Sequence, residues 1–277
     1  MKLLFISLSY IIIMFYSIFI TDFSFILLYN ILCLILSSFF SIILFIKLYI
    51  LYFERKFQTK ILYFNDFKKN FIISLFFNST IININDDTLV RHIFNSLSSN
   101  NIRHINLILE TDGGFISSND CILNSFSTFQ LNNGIINSYI FNKALSAGTM
   151  LAISSDNIFM NKYAILGPTD PQITINNETF SFTTIKNIHN TDNSKFPLEF
   201  HENYKLFNDN VKLCIKFISK FNKPSKIQEL IHVLSSGDFP HHKPIDVPFL
   251  SKFLPIKSIS SPFISNSYFL LNLLSKY

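Results

Sequence analysis

Two long apolar runs at the N-terminus limit the possible folds of this chain more than any other feature. Residues 3–20 are all apolar or hydroxyl-bearing, and residues 23–46 are interrupted only by Asn30. About 20 apolar helical residues span the ~30 Å hydrocarbon core of a bilayer. The second run follows the first with no small-residue cleavage site between them, which argues against a removable signal peptide. Residues 1–53 are therefore predicted to be a membrane anchor of one or two transmembrane helices.

The distribution of cations predicts which side of the membrane the rest of the chain occupies. Lys47, Arg55, Lys56 and Lys60 follow the second run, whereas the connector between the runs carries only Asp22. With two spans, the positive-inside rule puts both termini and the soluble domain in the cytoplasm. With one span and a leader-like first run, the domain would lie outside. A third possibility is that both runs are core helices, although these rarely go so long without charge.

Residues 54–277 read as one soluble domain in which strands alternate with helices. Strands are predicted at 61–64, 71–77, 105–109 and 135–141, with one or two more within 158–165, and helices at 86–97, around 122–129, from 146, at 206–221, from 224 and at 264–277. This alternation is typical of an α/β domain with a largely parallel sheet. Functional groups are then expected on the loops that follow the strands. The polar stretch at 173–193 is predicted to be a loop.

Composition excludes several classes of function. The chain carries a formal charge of +5, but its lysines are scattered and it has only three arginines, so we expect no nucleic-acid partner. Its three cysteines are widely separated, which predicts neither a disulfide framework nor a zinc site. The adjacent His241 and His242 point apart on any regular element, and no second ligand cluster is suitably spaced. We therefore expect no metal and no cofactor.

Glycine is scarce, with 6 in 277 positions against a usual frequency of about 7%. Gly113 and Gly114 follow a predicted strand, and Gly148 lies two residues after Ser146. A Gly-Gly turn leaves backbone N–H groups uncovered, as a developing oxyanion requires. A serine at a helix start adds further free N–H groups and the positive end of the helix dipole. The alternatives are a plain tight turn and a helix N-cap.

Three segments carry a family resemblance. The stretches "INLILETDGG", "ALSAGTMLAISSDNIFMNKYAILGPTDPQ" and "SGDFPHHKPI" resemble the serine dehydrogenase proteinase family, membrane-anchored relatives of signal peptide peptidase A and the ClpP-type peptidases. The likeness extends from about residue 54 to residue 250, and "LGPTDPQ" is its most specific part. The resemblance implies a ClpP/crotonase-like spiral of ββα units behind the N-terminal transmembrane helices, and peptide hydrolysis by a serine nucleophile.

The resemblance also implies roles for individual residues. Ser146 matches the nucleophile, and the N–H of Ala147 with that of Gly113 or Gly114 matches the oxyanion hole. Lys186 falls where related enzymes have a lysine base, which acts only if burial lowers its pKa toward neutrality. His241 matches a family histidine and is a possible alternative base.

Two acidic residues near these motifs need separate interpretation. Asp112 departs from the family pattern by replacing a proline, and its charge would oppose an oxyanion unless it points away. Asp170, in Asp-Pro, is interpreted as a turn residue rather than as an orienting group.

The sequence therefore predicts a membrane-anchored serine peptidase that acts on peptide or protein substrates. The alternative is a catalytically inactive, membrane-bound scaffold of the same fold. Because relatives form rings or stacked assemblies, either version is expected to be a homo-oligomer.

Overall fold

A computed structural model describes most of the chain, and the elements below refer to that part. It covers residues 23–65, 81–99, 102–170, 172–175, 178–180, 224–236, 238–241 and 243–276, with nine scattered positions between 205 and 219. The chain divides into two compact units, Met1–Phe53 and Glu54–Tyr277. The predicted run at 3–20, the predicted strand at 71–77, Lys186 and Gly237 lie outside the described residues.

Helix α1 (Phe23–Phe57) contains the second apolar run. Its segment Leu28–Phe57 contains an 18-residue stretch with a mean hydropathy of 2.6 and, among the described helices, is the one long and apolar enough to cross a membrane. At about 1.5 Å per residue, 30 residues reach roughly 45 Å, which exceeds the hydrocarbon thickness. Arg55 and Lys56 occupy the last turn of the helix. The C-terminal end of α1 therefore carries the cations that follow the second apolar run in the sequence.

The second unit is built from ten strands and six further helices among the described residues. In chain order these are β1 (Thr59–Asn65), β2 (Ile81–Asn83), α2 (Asp87–Ser99), β3 (His104–Thr111), α3 (Ile116–Leu131), β4 (Ile135–Ala144), α4 (Ala147–Ser154), β5 (Asn157–Met160), β6 (Ile165–Leu166), β7 (Ile173–Ile175), β8 (Glu178–Phe180), α5 (Pro224–Ser235), β9 (Ile245–Asp246), α6 (Val247–Leu250), β10 (Ile256–Ser258) and α7 (Pro262–Lys276).

The main sheet runs in the order β10-β5-β4-β3-β1-β2, and every neighbouring pair along it is parallel. Strand β6 pairs in parallel with the last two residues of β4 and antiparallel with β9. The central strand β3 is covered on both faces, because Leu107 and Ile108 point to opposite sides and both are fully buried. The predicted α/β domain with a largely parallel sheet is confirmed.

Helices α2, α3 and α4 share one hydrophobic core with the sheet face that carries Leu62 and Leu107. The side chain of Asp86 accepts the N–H of Leu89 at 3.1 Å, which caps α2 where the sequence predicted its start. Between α2 and α3, the ring of Phe94 stacks on that of Phe126 with 5.3 Å between the ring centroids. This packing fixes the helices that flank the loops at the carboxyl ends of the strands.

A chain of side-chain hydrogen bonds crosses the opposite face of the sheet near the start of the strands. Asn106 donates to Thr59 at 2.8 Å, Asn137 donates to Asn106 at 3.0 Å, and Asn157 donates to Asn137 at 2.8 Å. Lys257 completes the chain by donating to Asn157 at 2.7 Å. We call these five residues the asparagine ladder. It ties together five neighbouring strands at the end away from the glycine turn.

The polar stretch at 173–193 is one place where the sequence prediction was wrong in part. Strands β7 and β8 pair antiparallel there, with Ile173 opposite Phe180. The apolar side chains of this short hairpin alternate along the chain at Ile173 and Ile175, with Phe180 on the second strand. The surrounding asparagines make this short alternating pattern difficult to recognise in the sequence. The three-residue β2 and the short strands β9 and β10 were also not predicted, since strands of two or three residues leave almost no periodic signal.

Candidate active site

Ser146 occupies the tight turn that joins β4 to α4. Its backbone has φ 50° and ψ −116°, and the N–H of Gly148 donates to the carbonyl of Leu145 at 2.8 Å across the turn. These angles belong to the second position of a mirror-image turn, which glycine normally fills. A serine in this conformation is strained, and a strained strand-to-helix turn is the position of the nucleophilic serine in α/β-hydrolases.

The hydroxyl of Ser146 does not act as a helix cap. Ser146 is the N-cap residue of α4, yet its side chain makes no capping hydrogen bond. Its carbonyl accepts the N–H of Met150 at 3.2 Å, whereas its hydroxyl has no hydrogen bond to any described residue. The side chain is half-buried. The N-cap alternative is therefore wrong for the side chain, which leaves the hydroxyl available for other chemistry.

The Gly-Gly turn after β3 lies directly against this serine. Gly113 has φ 127°, and a Cβ added to it would lie 2.8 Å from Cβ of Ser146 and 3.3 Å from Oγ. A Cβ on Gly114 would lie 2.5 Å from Oδ1 of Asn85. Both glycines are required by close approach, and the first also by its positive φ. The structure thus brings together the serine and the glycine turn that the sequence singled out.

The backbone N–H groups around Ser146 are not equivalent. The N–H of Gly113 donates to the hydroxyl of Thr111 at 3.0 Å and is therefore occupied. The N–H groups of Gly114 and Ala147 have no hydrogen bond to any residue in the described part of the chain. Of the two glycines predicted for an oxyanion hole, Gly114 is the one whose donor is open. Ala147 also begins α4, where the helix dipole adds partial positive charge.

The carboxylate of Asp112 is neutralised by a neighbouring cation. Lys143, near the end of β4, forms an ion pair with Asp112 across the ends of the two strands. The Asp112 side chain is 64% exposed. Its charge is thus screened by solvent and by a lysine, which removes much of the electrostatic objection to an oxyanion at the adjacent turn.

Asp170 is a buried carboxylate rather than the turn residue predicted from Asp-Pro. Its side chain is 1% exposed, and Oδ1 lies 3.0 Å from Nδ1 of His241, whose side chain is 19% exposed. Turn propensity describes only the backbone, so it gave no sign that a histidine some seventy positions away would cover this side chain. When Nδ1 donates to the carboxylate, Nε2 of the ring remains free to accept a proton.

The structure does not join every predicted site residue to Ser146. Among the described residues, His241 makes no hydrogen bond to the serine hydroxyl. Lys186 lies outside the described residues. In the part of the chain that is described, no three His, Cys, Asp or Glu side chains are grouped so that they could hold a metal ion.

Comparison with known proteins identifies the family. A model of the ClpP-like SDH-type serine proteinases matches residues 20–276, which is nearly the whole chain. The chain belongs to this family. Membership confirms the resemblance derived from the glycine turn and the serine segment, and it confirms the ClpP-like α/β fold class.

Individual relatives of this SDH-type family member are distant. Two uncharacterized proteins of Methanocaldococcus jannaschii match: one is 26% identical over 53% of this chain and 50% of its own length, and the other is 33% identical over 25% and 23%. The chain therefore spans half or less of the length of these curated relatives. Among solved structures, a mutant of the 1510-N membrane-bound stomatin-specific protease aligns with 14% identity and a TM-score of 0.46, over 73% of this chain and 80% of that one.

Sequence reasoning missed three residues that shape the site of this SDH-type chain. Thr111 binds the glycine turn, and Asn85 packs against Gly114 and accepts the N–H of Phe115 at 2.6 Å. The hydroxyl oxygen of Thr149 lies 2.8 Å from the carbonyl oxygens of Ala144 and Gly167. For the two threonines, the available signal was their position beside Gly113 and Gly148 in the sequence. Hydroxyl groups at such positions commonly bond the backbone of tight turns.

Proposed function

We propose that this protein is a membrane-anchored serine peptidase with Ser146 as its nucleophile. The observation that carries the proposal is the strained serine turn, whose hydroxyl has no hydrogen bond to the described residues and lies against the backbone of Gly113. Family membership supports peptide-bond hydrolysis as the reaction class. A strained φ/ψ pair is costly and persists where the surrounding structure enforces it, often because function requires it.

In the proposed reaction, Oγ of Ser146 attacks the carbonyl carbon of the scissile peptide bond. The hydroxyl proton passes to a base, and the carbonyl oxygen takes up negative charge between the N–H groups of Gly114 and Ala147. Collapse of this intermediate breaks the C–N bond as the base returns the proton to the leaving amine. Water then hydrolyses the acyl-enzyme by the same steps. The partial positive charge at the start of α4 favours each oxyanion.

Lys186 is the proposed base, because the family resemblance assigns a lysine to this position. His241 is the alternative base. Its support is the hydrogen bond between Nδ1 and the buried carboxylate of Asp170, because Nε2 is left as the acceptor when Nδ1 donates to a carboxylate. That arrangement resembles the histidine–carboxylate pair of other serine hydrolases. If Lys186 is the base, replacing Lys186 should slow the reaction and replacing His241 should not. If His241 is the base, the reverse is expected.

Helix α1 is the proposed membrane anchor. Its exposed apolar side chains and its length suit a bilayer span, and Arg55 and Lys56 at its end suit the cytoplasmic side. We propose that the soluble domain is cytoplasmic, that residues 1–53 are anchor and 54–277 peptidase domain, and that the substrates are peptide or protein segments near the membrane. A homo-oligomer is proposed by analogy with related peptidases.

The test is labelling of the purified, full-length protein with a fluorophosphonate, which reacts with activated serines. Wild type is expected to be labelled, Ser146→Ala is expected not to be, and Ser117→Ala, at an exposed serine of α3, serves as the matched control. Loss of the true base is expected to slow labelling ~10²–10⁴-fold. Comparing Lys186→Met with His241→Asn therefore decides between the bases. A folded wild-type protein that neither labels nor cleaves peptides would favour the inactive scaffold.

A further inference from the structure

Thr111 connects the two turns of the candidate site. It is the last residue of β3 and is fully buried. Its carbonyl accepts the N–H of Leu145 at 3.0 Å, and its hydroxyl accepts the N–H of Gly113 at 3.0 Å. Its Cγ2 lies 2.5 Å from where a Cβ on Gly148 would be. One side chain therefore contacts the glycine turn on one side and the serine turn on the other.

An irregularity in the sheet brings Thr111 to this position. Strands β3 and β4 pair in simple register up to Leu109 opposite Ile140, but Thr111 lies opposite Ala144. Two residues along β3 thus correspond to four along β4. Such irregularities redirect side chains and are common beside active sites. The shift carries Thr111 forward to the residues that immediately precede Ser146.

The hydrogen bond to Thr111 also determines which glycine donor stays open. Because the Thr111 hydroxyl accepts the N–H of Gly113, that N–H cannot stabilise an oxyanion at the same time. The same hydroxyl donates to the carbonyl of Gly113 at 3.3 Å, and this carbonyl shares a planar peptide unit with the N–H of Gly114, so Thr111 also restrains the direction of the Gly114 donor. The buried methyl group meanwhile packs against Gly148 in the first turn of α4.

We propose that Thr111 is the positioning residue that sets the N–H of Gly114 relative to the N–H of Ala147, so that both can reach one oxyanion. This inference rests on the proposed function. Oxyanion donors act only when they are held in place before charge develops, and misplacement by about 1 Å can cost ~10²-fold in rate. The hydroxyl and the methyl group of Thr111 have separate tasks, so they can be tested separately.

The test compares the fluorophosphonate labelling rate and the peptidase kcat and KM of full-length variants. Thr111→Val keeps the branched shape but loses the acceptor, and we expect kcat and the labelling rate to fall ~10–100-fold with little change in KM. Thr111→Ser keeps the acceptor and should stay within about 3-fold of wild type. The matched control is Thr59→Val, which removes another buried threonine hydroxyl, at the far end of the sheet in the asparagine ladder.

Each outcome has a distinct consequence. Rates for Thr111→Val equal to wild type, or an equal loss in Thr59→Val, would overturn the positioning role while leaving the proposed peptidase function intact. If Thr111→Val does not fold, comparing Thr111→Ala with Thr111→Ser decides, because both variants lack the methyl group and only the alanine variant lacks the hydroxyl; equal rates in the two would contradict a role for the hydroxyl. A folded wild-type protein that is not labelled would overturn the proposed function and this inference with it.

Discussion

Replacing Ser146 by glycine is expected to make the protein more stable than replacing it by alanine. Both substitutions remove the hydroxyl, so they differ only in the β-carbon at a position with φ 50° and ψ −116°. An L-residue held in such a region costs about 1–3 kcal/mol, and glycine avoids that cost. Glycine in turn loses about 0.5–1 kcal/mol because its unfolded chain is more flexible.

Taken at the middle of both ranges, the expected difference is a gain of about 1 kcal/mol for Ser146→Gly over Ser146→Ala. For a domain of this size the gain corresponds to a rise of about 2–4 °C in Tm. Thermal unfolding of the full-length protein in detergent micelles, followed by circular dichroism, measures it directly. Asn133→Gly is the matched control, because Asn133 has φ 61° but asparagine tolerates the left-handed region well.

Equal Tm values for the glycine and alanine variants of Ser146 would show that the backbone of Ser146 is not strained. Backbone strain at Ser146 would also be contradicted if Asn133→Gly gained as much as Ser146→Gly, because the effect would then reflect glycine in general and not the serine turn. Neither Ser146 variant should be labelled by a fluorophosphonate. A strained residue whose relief adds stability and removes activity is what a functional constraint predicts.

Three further perturbations test other parts of the structure. Asn137→Ala interrupts the asparagine ladder at its centre and should cost about 1–3 kcal/mol of unfolding free energy in a urea titration, because its two neighbours lose a partner, while the labelling rate stays unchanged. Lys143→Met removes the cation beside Asp112 and should slow labelling up to about 10-fold, and adding Asp112→Asn to it should restore the rate; an unaffected single variant would contradict the electrostatic argument. Burial, followed by the charge of Glu110 and a hydrogen bond to it, raises the pKa of Tyr268 to about 12. Because the folded-state pKa of Tyr268 exceeds its unfolded value near 10, the stability that this phenol contributes is fully present below about pH 10 and is lost as the pH rises toward 12. Tyr268→Phe should therefore flatten that part of the pH–Tm curve.

The sequence predicted the elements of the sheet because their signals are local. The nearly continuous apolar run at 105–109 predicted a strand buried on both faces, and β3 is one. Asp86 predicted the start of α2 by its capping oxygen, which accepts the N–H of Leu89. The short strands β2, β9 and β10 escaped prediction because their pairing partners, and not their own residues, determine them.

The candidate site was predictable where backbone geometry demands a particular residue. In a chain with six glycines, Gly113 and Gly114 had to mark close approach, and their Cβ positions would meet Ser146 and Asn85. The pairing of Asp170 with His241 and the contacts of Thr111 could not be predicted in the same way. Each depends on which distant segment folds over the side chain, and one sequence holds no local trace of that.

Mass spectrometry of the fluorophosphonate-treated wild-type protein identifies the residue that reacts. Cleavage after lysine releases residues 144–162 as one peptide, which contains Ser146 together with Ser154 and Ser155. Both of the latter are fully buried. We expect a single phosphonyl group on this peptide, with the fragment ions assigning it to Ser146. An adduct on any other residue, or none at all in a folded sample, would contradict the assignment of Ser146 as the nucleophile.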